Sequence, residues 1–497
     1  MQSLANATLV LFPSGENGFL TPGNAIALRS RNIASAPIRS QVSYHTGANG
    51  LDDIDLRLGA KASPVLSINA GWILRNYAGT TAHSTYRGQK ANLKIDRTLG
   101  EKWLVSYSLL MNEFDRDLPE PFMAPSLDYF LHPHQKDRRF DHGLLIKNGD
   151  AFYTHLQLTD LHREMYSDRR VVLGQSHDDS RITGRSGIGY RLFGFEATTG
   201  LLWAHNGLTS VAWGNRDEWQ VDLWSRLARR FKKKWQVQLG LQAAKTGGFD
   251  LAVEPDLSLV FDAGADFKVS AWTAHRVNSP SFSARFSNGP FVFGHSALSP
   301  EKQTTAGLGI KKLTKRLDLH ATVTFSRHSN EIAVLYDPQK AGDPGFQNIA
   351  RHSTVLFDHR LFIFMNEWLE LAFKGHLYAD RASESGLKTL NLPSLHEKAF
   401  LQLTKTLFQG DLKATLRLGS AFYGRRYGSD VYYAAFAKNA GSSGPVLLPY
   451  IVGLFHFKDA AIFIAYDNPL SQEVEIVNGY PKEGAHVRWG FTWHFLD

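Results

Sequence analysis

The sequence predicts an all-β fold: a transmembrane, antiparallel, up-and-down β-barrel of about 22 strands, with short periplasmic turns and long extracellular loops. Three observations predict it. Strand-length stretches with two-residue alternation recur along nearly the whole chain, and the connections between them alternate short and long. No stretch sustains a helical period. No apolar run approaches the ~18 residues of a membrane helix, the strongest cluster being Leu361 to Met365, whereas a membrane strand needs only about ten residues, half of them polar.

Taken in order, residues 1–37 show no strong period and carry Pro13-Ser14-Gly15 and Pro22-Gly23, so they read as an irregular N-terminal segment. Residues 38–497 read as one barrel with no domain linker. Near its start, Ile54, Leu56, Leu58 and Ala60 alternate with Asp55, Arg57, Gly59 and Lys61. A tight turn at Arg97–Glu101 leads to a strand with Trp103, Val105, Tyr107, Leu109 and Met111 on one face. Pro119, Pro121, Pro125 and Pro133 then interrupt a long loop over about 116–138. Lys147-Asn148-Gly149-Asp150 is a hairpin turn, and Leu192-Phe193-Gly194 is another. Trp219, Val221, Leu223 and Leu227 oppose Gln220, Asp222 and Arg226, and Trp235, Val237, Leu239 and Leu241 oppose Gln236, Gln238 and Gln242. The basic run Arg229–Lys234 between them reads as a solvated rim turn.

The second half repeats the theme at Leu317–Phe325, Leu369–Lys374 and Leu412–Leu418, with short turns at Phe408-Gln409-Gly410 and Lys458-Asp459. Long loops are expected near 277–302, 328–350, 380–396, 425–445 and 467–484. The closing stretch is the cleanest: Val487, Trp489, Phe491, Trp493 and Phe495 on one face, Arg488, Gly490, Thr492 and His494 on the other. An even strand number places both termini on one side, which the short turns make periplasmic.

Composition narrows the function classes. The 497 residues hold 12% aromatics, enough for the girdles of a membrane barrel, and no cysteine, which removes disulfides, thiolate chemistry and Cys-ligated zinc. The net charge of +8 is spread along the chain rather than gathered on one patch, which argues against nucleic acid. There is no G-x-S-x-G elbow, no Walker loop and no H-E-x-x-H helix, so no enzyme and no cofactor is expected. Leu4 to Phe12 is weakly apolar, but no basic residue precedes it and no clear cleavage site follows, so no signal peptide is read there. His132 and His134 with Asp128 and Asp137 are the residue types of a metal site, but their loop context favours a plain exposed loop.

If the apolar faces meet lipid, Arg57, Lys90, Lys94, Arg226, Lys268, Lys374, Lys413, Arg417 and Arg488 point into the lumen, together with Asp55, Asp96, Asp222, Asp318 and Glu370. A lumen with a basic excess attracts anionic solutes, although charged side chains also serve simply to solvate a wet interior.

Several segments carry a resemblance to a known family. Leu298-Ser299-Pro300-Glu301-Lys302 followed by the strand Thr304–Lys311, Asn278-Ser279-Pro280-Ser281-Phe282 upstream, and Asp467-Asn468-Pro469 with Gly479-Tyr480-Pro481, Gly484 and the closing aromatic strand are similar to elements of TonB-dependent receptor barrels. The resemblance covers about 38–497 and implies an outer-membrane barrel that transports a small-molecule solute. The family's plug domain and N-terminal box are not found in the 37 residues ahead of the first strand, and Leu496-Asp497 displace its usual terminal aromatic residue. The expectation is a transport barrel in outer-membrane lipid whose lumen is occupied by infolded loops, by the N-terminal segment or by a separate plug or periplasmic partner, or is left open. The alternative is a non-transporting scaffold whose loops, with aromatics such as Tyr432, Tyr433 and Phe436, bind a surface partner, or whose lumen seats a periplasmic protein.

Overall fold

The computed structural model describes residues 4–10, 25–30, 38–79, 85–117, 133–167, 175–232, 234–264, 266–287, 293–336, 345–382, 387–390, 392–428, 436–438, 441–472, 475–477, 480–481 and 484–495. Among them, 22 antiparallel strands close into one barrel. They are β1 (Ile38–Gly47), β2 (Leu51–Ser63), β3 (Leu66–Tyr77), β4 (Tyr86–Leu99), β5 (Trp103–Asp117), β6 (Pro133–Asn148), β7 (Phe152–Ser167), β8 (Gln175–Leu192), β9 (Phe195–Ser210), β10 (Arg216–Phe231) and β11 (Trp235–Thr246). The second half comprises β12 (Ala252–Gly264), β13 (Phe267–Asn278), β14 (Glu301–Leu313), β15 (Leu317–Tyr336), β16 (Gly345–Phe364), β17 (Leu369–Ala382), β18 (Leu395–Leu407), β19 (Leu412–Tyr423), β20 (Val446–Phe457), β21 (Ala460–Asp467) and β22 (His486–Phe495). Each strand bonds to its sequence neighbour, and β1 closes on β22 from Ser40↔Phe495 to Gly47↔Arg488.

Ten connections of two to four residues lie on one rim. Their residues suit sharp reversal: Gly149 after Asn148 has φ 50°, and Gly194 has φ 77°. The opposite rim carries connections of 5 to 22 residues, with one exception, the three-residue turn Ala48–Gly50 between β1 and β2.

The wall is inside-out relative to a water-soluble domain. Among the described residues, 24 buried side chains are polar or charged and 21 are apolar, while Leu223, Leu308, Ile188 and Trp493 are each more than half exposed. Such a continuous apolar exterior is unsustainable in water and is what acyl chains require. No helix is long and apolar enough to cross a membrane, which says nothing of spanning by strands. The polar groups of one face then surround the interior.

Glycines let that polar face lie flat. The Trp224 indole covers Gly200 and the Trp272 indole covers Gly307, in space that any Cβ would occupy. Both rings are buried although they belong to the polar face, because they lie along the wall instead of projecting from it.

Four expectations need correction. Much of the segment 328–350 is strand rather than loop: β15 and β16 are each 20 residues long and their hairpin rises above its neighbours. Its end pairs with Phe436–Lys438, which pairs with Leu387–Thr389. An apolar cluster forms on each face of this small sheet, one of Ala333, Leu335, Ile349, Leu387 and Phe436, the other of Val334, Leu390 and Ala437. Phe436 is therefore buried, not a loop aromatic offered to a partner; Tyr432 and Tyr433 lie outside the described residues. The loop over 116–138 is shorter than expected, since Pro133 opens β6, and residues 118–132, with Asp128 and His132, lie outside the described residues. Finally, residues 1–37 are not wholly irregular: Leu4–Val10 pairs with Ala25–Ser30.

Candidate functional site

Hydrogen-bond register brings together a set of basic residues that are far apart in sequence. Lys268 of β13 pairs with Lys311 of β14, Lys311 with His320 of β15, His320 with Arg360 of β16, Arg360 with Lys374 of β17, and Lys374 with Lys398 of β18. Six adjacent strands thus place a basic residue at successive cross-strand positions, all on the polar face. Directly opposed side chains lie about 5 Å apart at Cβ, and like charges there are destabilising. The row begins beside the short-turn rim at Lys268 and climbs to mid-wall at Lys398, as strand tilt requires.

Only part of this charge is neutralised. Asp262 lies 3.6 Å from Lys268, and Asp318 lies 3.1 Å from Arg360. Lys311, Lys374 and Lys398 form no ion pair with a carboxylate among the described residues. An aromatic floor supports the row: Lys374 Nζ sits 4.5 Å from the Phe362 ring and 5.6 Å from Phe400, and the Arg417 guanidinium lies 4.4 Å from Phe400. Cation–π contact holds these cations in place without cancelling their charge. Arg417 is further oriented by Gln402, whose Oε1 accepts from Nη2 at 2.6 Å.

The nine cations expected in the lumen all fall on the polar face of their strands, but they do not converge. Lys268, Lys374 and Arg417 belong to the row or its floor. Arg57 and Lys94 lie across the barrel on β2 and β4, paired with Asp55 (Nε to Oδ1 2.9 Å) and Asp96 (3.0 Å), and Lys90 shares β4. Arg226 is on β10, among the buried charges Asp222, Asp256 and Arg276. Lys413 sits near the short-turn end of β19. Arg488 is at the seam, donating to Asp467 at 2.6 Å. Of the acidic set, Asp318 contacts the row and Glu370 accepts from Gln402 at 3.2 Å beneath it. Lys311, His320, Arg360 and Lys398 were not singled out by sequence; each shows only as a polar position in its own strand, and their alignment appears once register is known.

The two described members of the candidate metal set separate. His134 and Asp137 lie on opposite faces of β6, His134 bonded to Asp117 at 2.6 Å and Asp137 to Arg163 at 2.7 Å. Among the described residues, no group of three or more His, Asp or Glu side chains is arranged to hold a metal.

The segments that carried the resemblance have structural work. Pro280 is fully buried, and the Ser281 hydroxyl accepts from Ala284 N at 3.2 Å, capping the short helix α1 (Phe282–Phe286). That helix lies against the polar face of β10, where Arg285 meets Glu218 at 2.9 Å, so this loop folds towards the interior. The Ser299 backbone exchanges two hydrogen bonds with the Asn348 amide, at 2.8 and 2.9 Å, tying the start of β14 to β16.

The family model described as TonB dependent receptor-like, beta-barrel, matches residues 30–440. The chain belongs to the TonB-dependent receptor-like β-barrel family. No curated relative matches its sequence. Among solved structures, the Copper transporter OprC superposes with a TM-score of 0.82 at 12% identity, over 99% of this chain and 86% of that one. The FrpB iron transporter from Neisseria meningitidis gives 0.80 at 10% identity, over 99% and 89%. The siderophore receptor PirA from Acinetobacter baumannii gives 0.77 at 10% identity, over 95% and 82%. Identities this low speak for the fold alone. This TonB-dependent receptor-like barrel is an outer-membrane protein, with its apolar face in lipid.

Proposed function

We propose that this barrel transports a small-molecule solute across the outer membrane, with the short-turn rim and both termini on the periplasmic side. The observation that carries the reading is a closed wall of 22 strands lined on one face by polar and charged side chains. A barrel this wide encloses more space than wall residues fill, and here the largest of them lie flat. The similar folds named for copper, iron and siderophores support a solute as cargo. On this reading residues 38–497 form the barrel and 1–37 a separate segment, and Arg57, Lys90, Lys94, Arg226, Lys268, Lys374, Lys413, Arg417 and Arg488 line the path. Of the loop aromatics that favour the scaffold alternative, Phe436 is buried, and Tyr432 and Tyr433 lie outside the described residues.

The test is reconstitution of the purified chain in planar bilayers and in liposomes. Conductance steps, or osmotic swelling in small sugars and organic anions, are expected. A correctly inserted barrel that passes neither ions nor small solutes contradicts the proposal.

A further inference from the structure

We propose that the row Lys268–Lys311–His320–Arg360–Lys374–Lys398 is a binding site for a polyanion, a small solute carrying several phosphate or carboxylate groups in series. The inference rests on the reading of the barrel as a solute path and adds the class of solute.

Three observations on these residues carry it. The first is linearity. Five cationic side chains and the His320 imidazole occupy consecutive rungs at a strand spacing of about 4.8 Å, a band of roughly 24 Å across the wall. A cluster that only solvates a lumen has no reason to align. The second is the imbalance: Asp262 is shared between Lys268 and Arg230 outside the row, and Asp318 meets Arg360, whereas Lys311, Lys374 and Lys398 have no carboxylate within ion-pair distance among the described residues. Opposing like charges across strands is unfavourable, and a ligand bearing serial negative charges relieves it. The third is positioning. Phe362 and Phe400 hold Lys374 and Arg417 from beneath, so the ammonium and guanidinium groups are fixed without being neutralised. A single anion satisfies one rung; a ligand with charges in series meets successive cations of the row.

An acidic polypeptide is the other occupant with this chemistry. Residues 1–37 hold one carboxylate, Glu16, against Arg29 and Arg31, which does not suit that segment to the row.

The experiment is titration calorimetry on the full chain in detergent, at low and at high salt, with tripolyphosphate as probe, orthophosphate and sucrose as comparisons, and hexaglutamate for the polypeptide. The variants are the triple Lys311→Gln/Lys374→Gln/Lys398→Gln, the triple to Arg at the same positions, and a control pair, Lys147→Gln/Lys458→Gln, at the short-turn rim. Heat-modifiable gel migration reports that each barrel is folded. We expect tripolyphosphate to bind, orthophosphate to bind at least about tenfold more weakly and sucrose not at all. The Gln triple should lose at least about tenfold in affinity, the Arg triple and the rim pair should keep it, and salt should weaken it steeply. Equal affinity for orthophosphate, an unaffected Gln triple, or binding of hexaglutamate without tripolyphosphate overturns the inference. Binding is read independently of passage: a barrel that conducts but ignores tripolyphosphate defeats this proposal and spares the transport reading, and one that binds but conducts nothing does the reverse.

Discussion

At the scale of the residue, the exterior carries an ionisable pair among apolar neighbours. His359 of β16 and Glu397 of β18 are on the apolar face and meet across Gly375 of β17, with Nε2 3.0 Å from the carboxylate. Phe357 and Leu377 occupy the next rung above, Leu361 and Phe373 the rung below. A lone charge facing lipid costs up to a few kcal/mol, so each partner is tolerable because the other is present. Gly375 is required here, because a Cβ would overlap the Glu397 carboxylate. We predict that His359→Leu destabilises the barrel by about 1–3 kcal/mol, and that His359→Leu/Glu397→Leu recovers most of the loss. Urea unfolding in phospholipid vesicles, followed by tryptophan fluorescence, measures both; strictly additive effects would show that the pair is not coupled. The polar face offers a second contrast. A Cβ at Gly200 meets the Ser186 carbonyl as well as the Trp224 ring, whereas at Gly307 its nearest contacts are all atoms of the Trp272 ring. Gly200→Ala should therefore cost about 1–3 kcal/mol. Gly307→Ala should be largely rescued by Trp272→Ala and Gly200→Ala should not be rescued by Trp224→Ala, as the same unfolding assay reports.

At the scale of the element, the strands were readable because their alternation is local: Leu317–Phe325 or Val487–Phe495 declare both faces within nine residues. Strand ends were not. Past His328 the alternation gives way to Ile332-Ala333-Val334-Leu335, apolar on both faces, and a single sequence does not reveal that a third and fourth strand cover them. The basic row was hidden for a related reason. Lys311 and Lys398 are ordinary polar positions until hydrogen bonding sets them beside His320 and Lys374. The small sheet leads to a prediction of its own. Phe436→Ala removes the ring shared by Leu335 and Leu387 and opens a cavity in a cluster with few other members, costing about 3 kcal/mol locally. The barrel is held by its own ladders, so heat-modifiability should be unchanged while limited proteolysis within 383–394 and 424–445 speeds up. Loss of the folded barrel instead would make this sheet part of the barrel's foundation.

At the scale of the whole molecule, the barrel, its short and long rims and the family were legible from the chain, because lipid imposes one pattern on every strand and closure leaves no edge. What fills or crosses the interior was not, because it depends on which polar faces converge. The nine expected cations are distributed over β2 to β22, and the site with continuous geometry uses only some of them. The absence of cysteine makes the orientation of the wall directly testable. Single cysteines introduced from Val487 to His494 in β22, each carrying a nitroxide label in reconstituted vesicles, report collisions with oxygen dissolved in lipid or with a water-soluble nickel chelate. Oxygen accessibility should peak at 487, 489, 491 and 493, and nickel accessibility at 488, 490, 492 and 494. A uniform profile, or the same alternation with its phase reversed, would contradict a wall that turns its apolar face to acyl chains and its charged face to an aqueous interior.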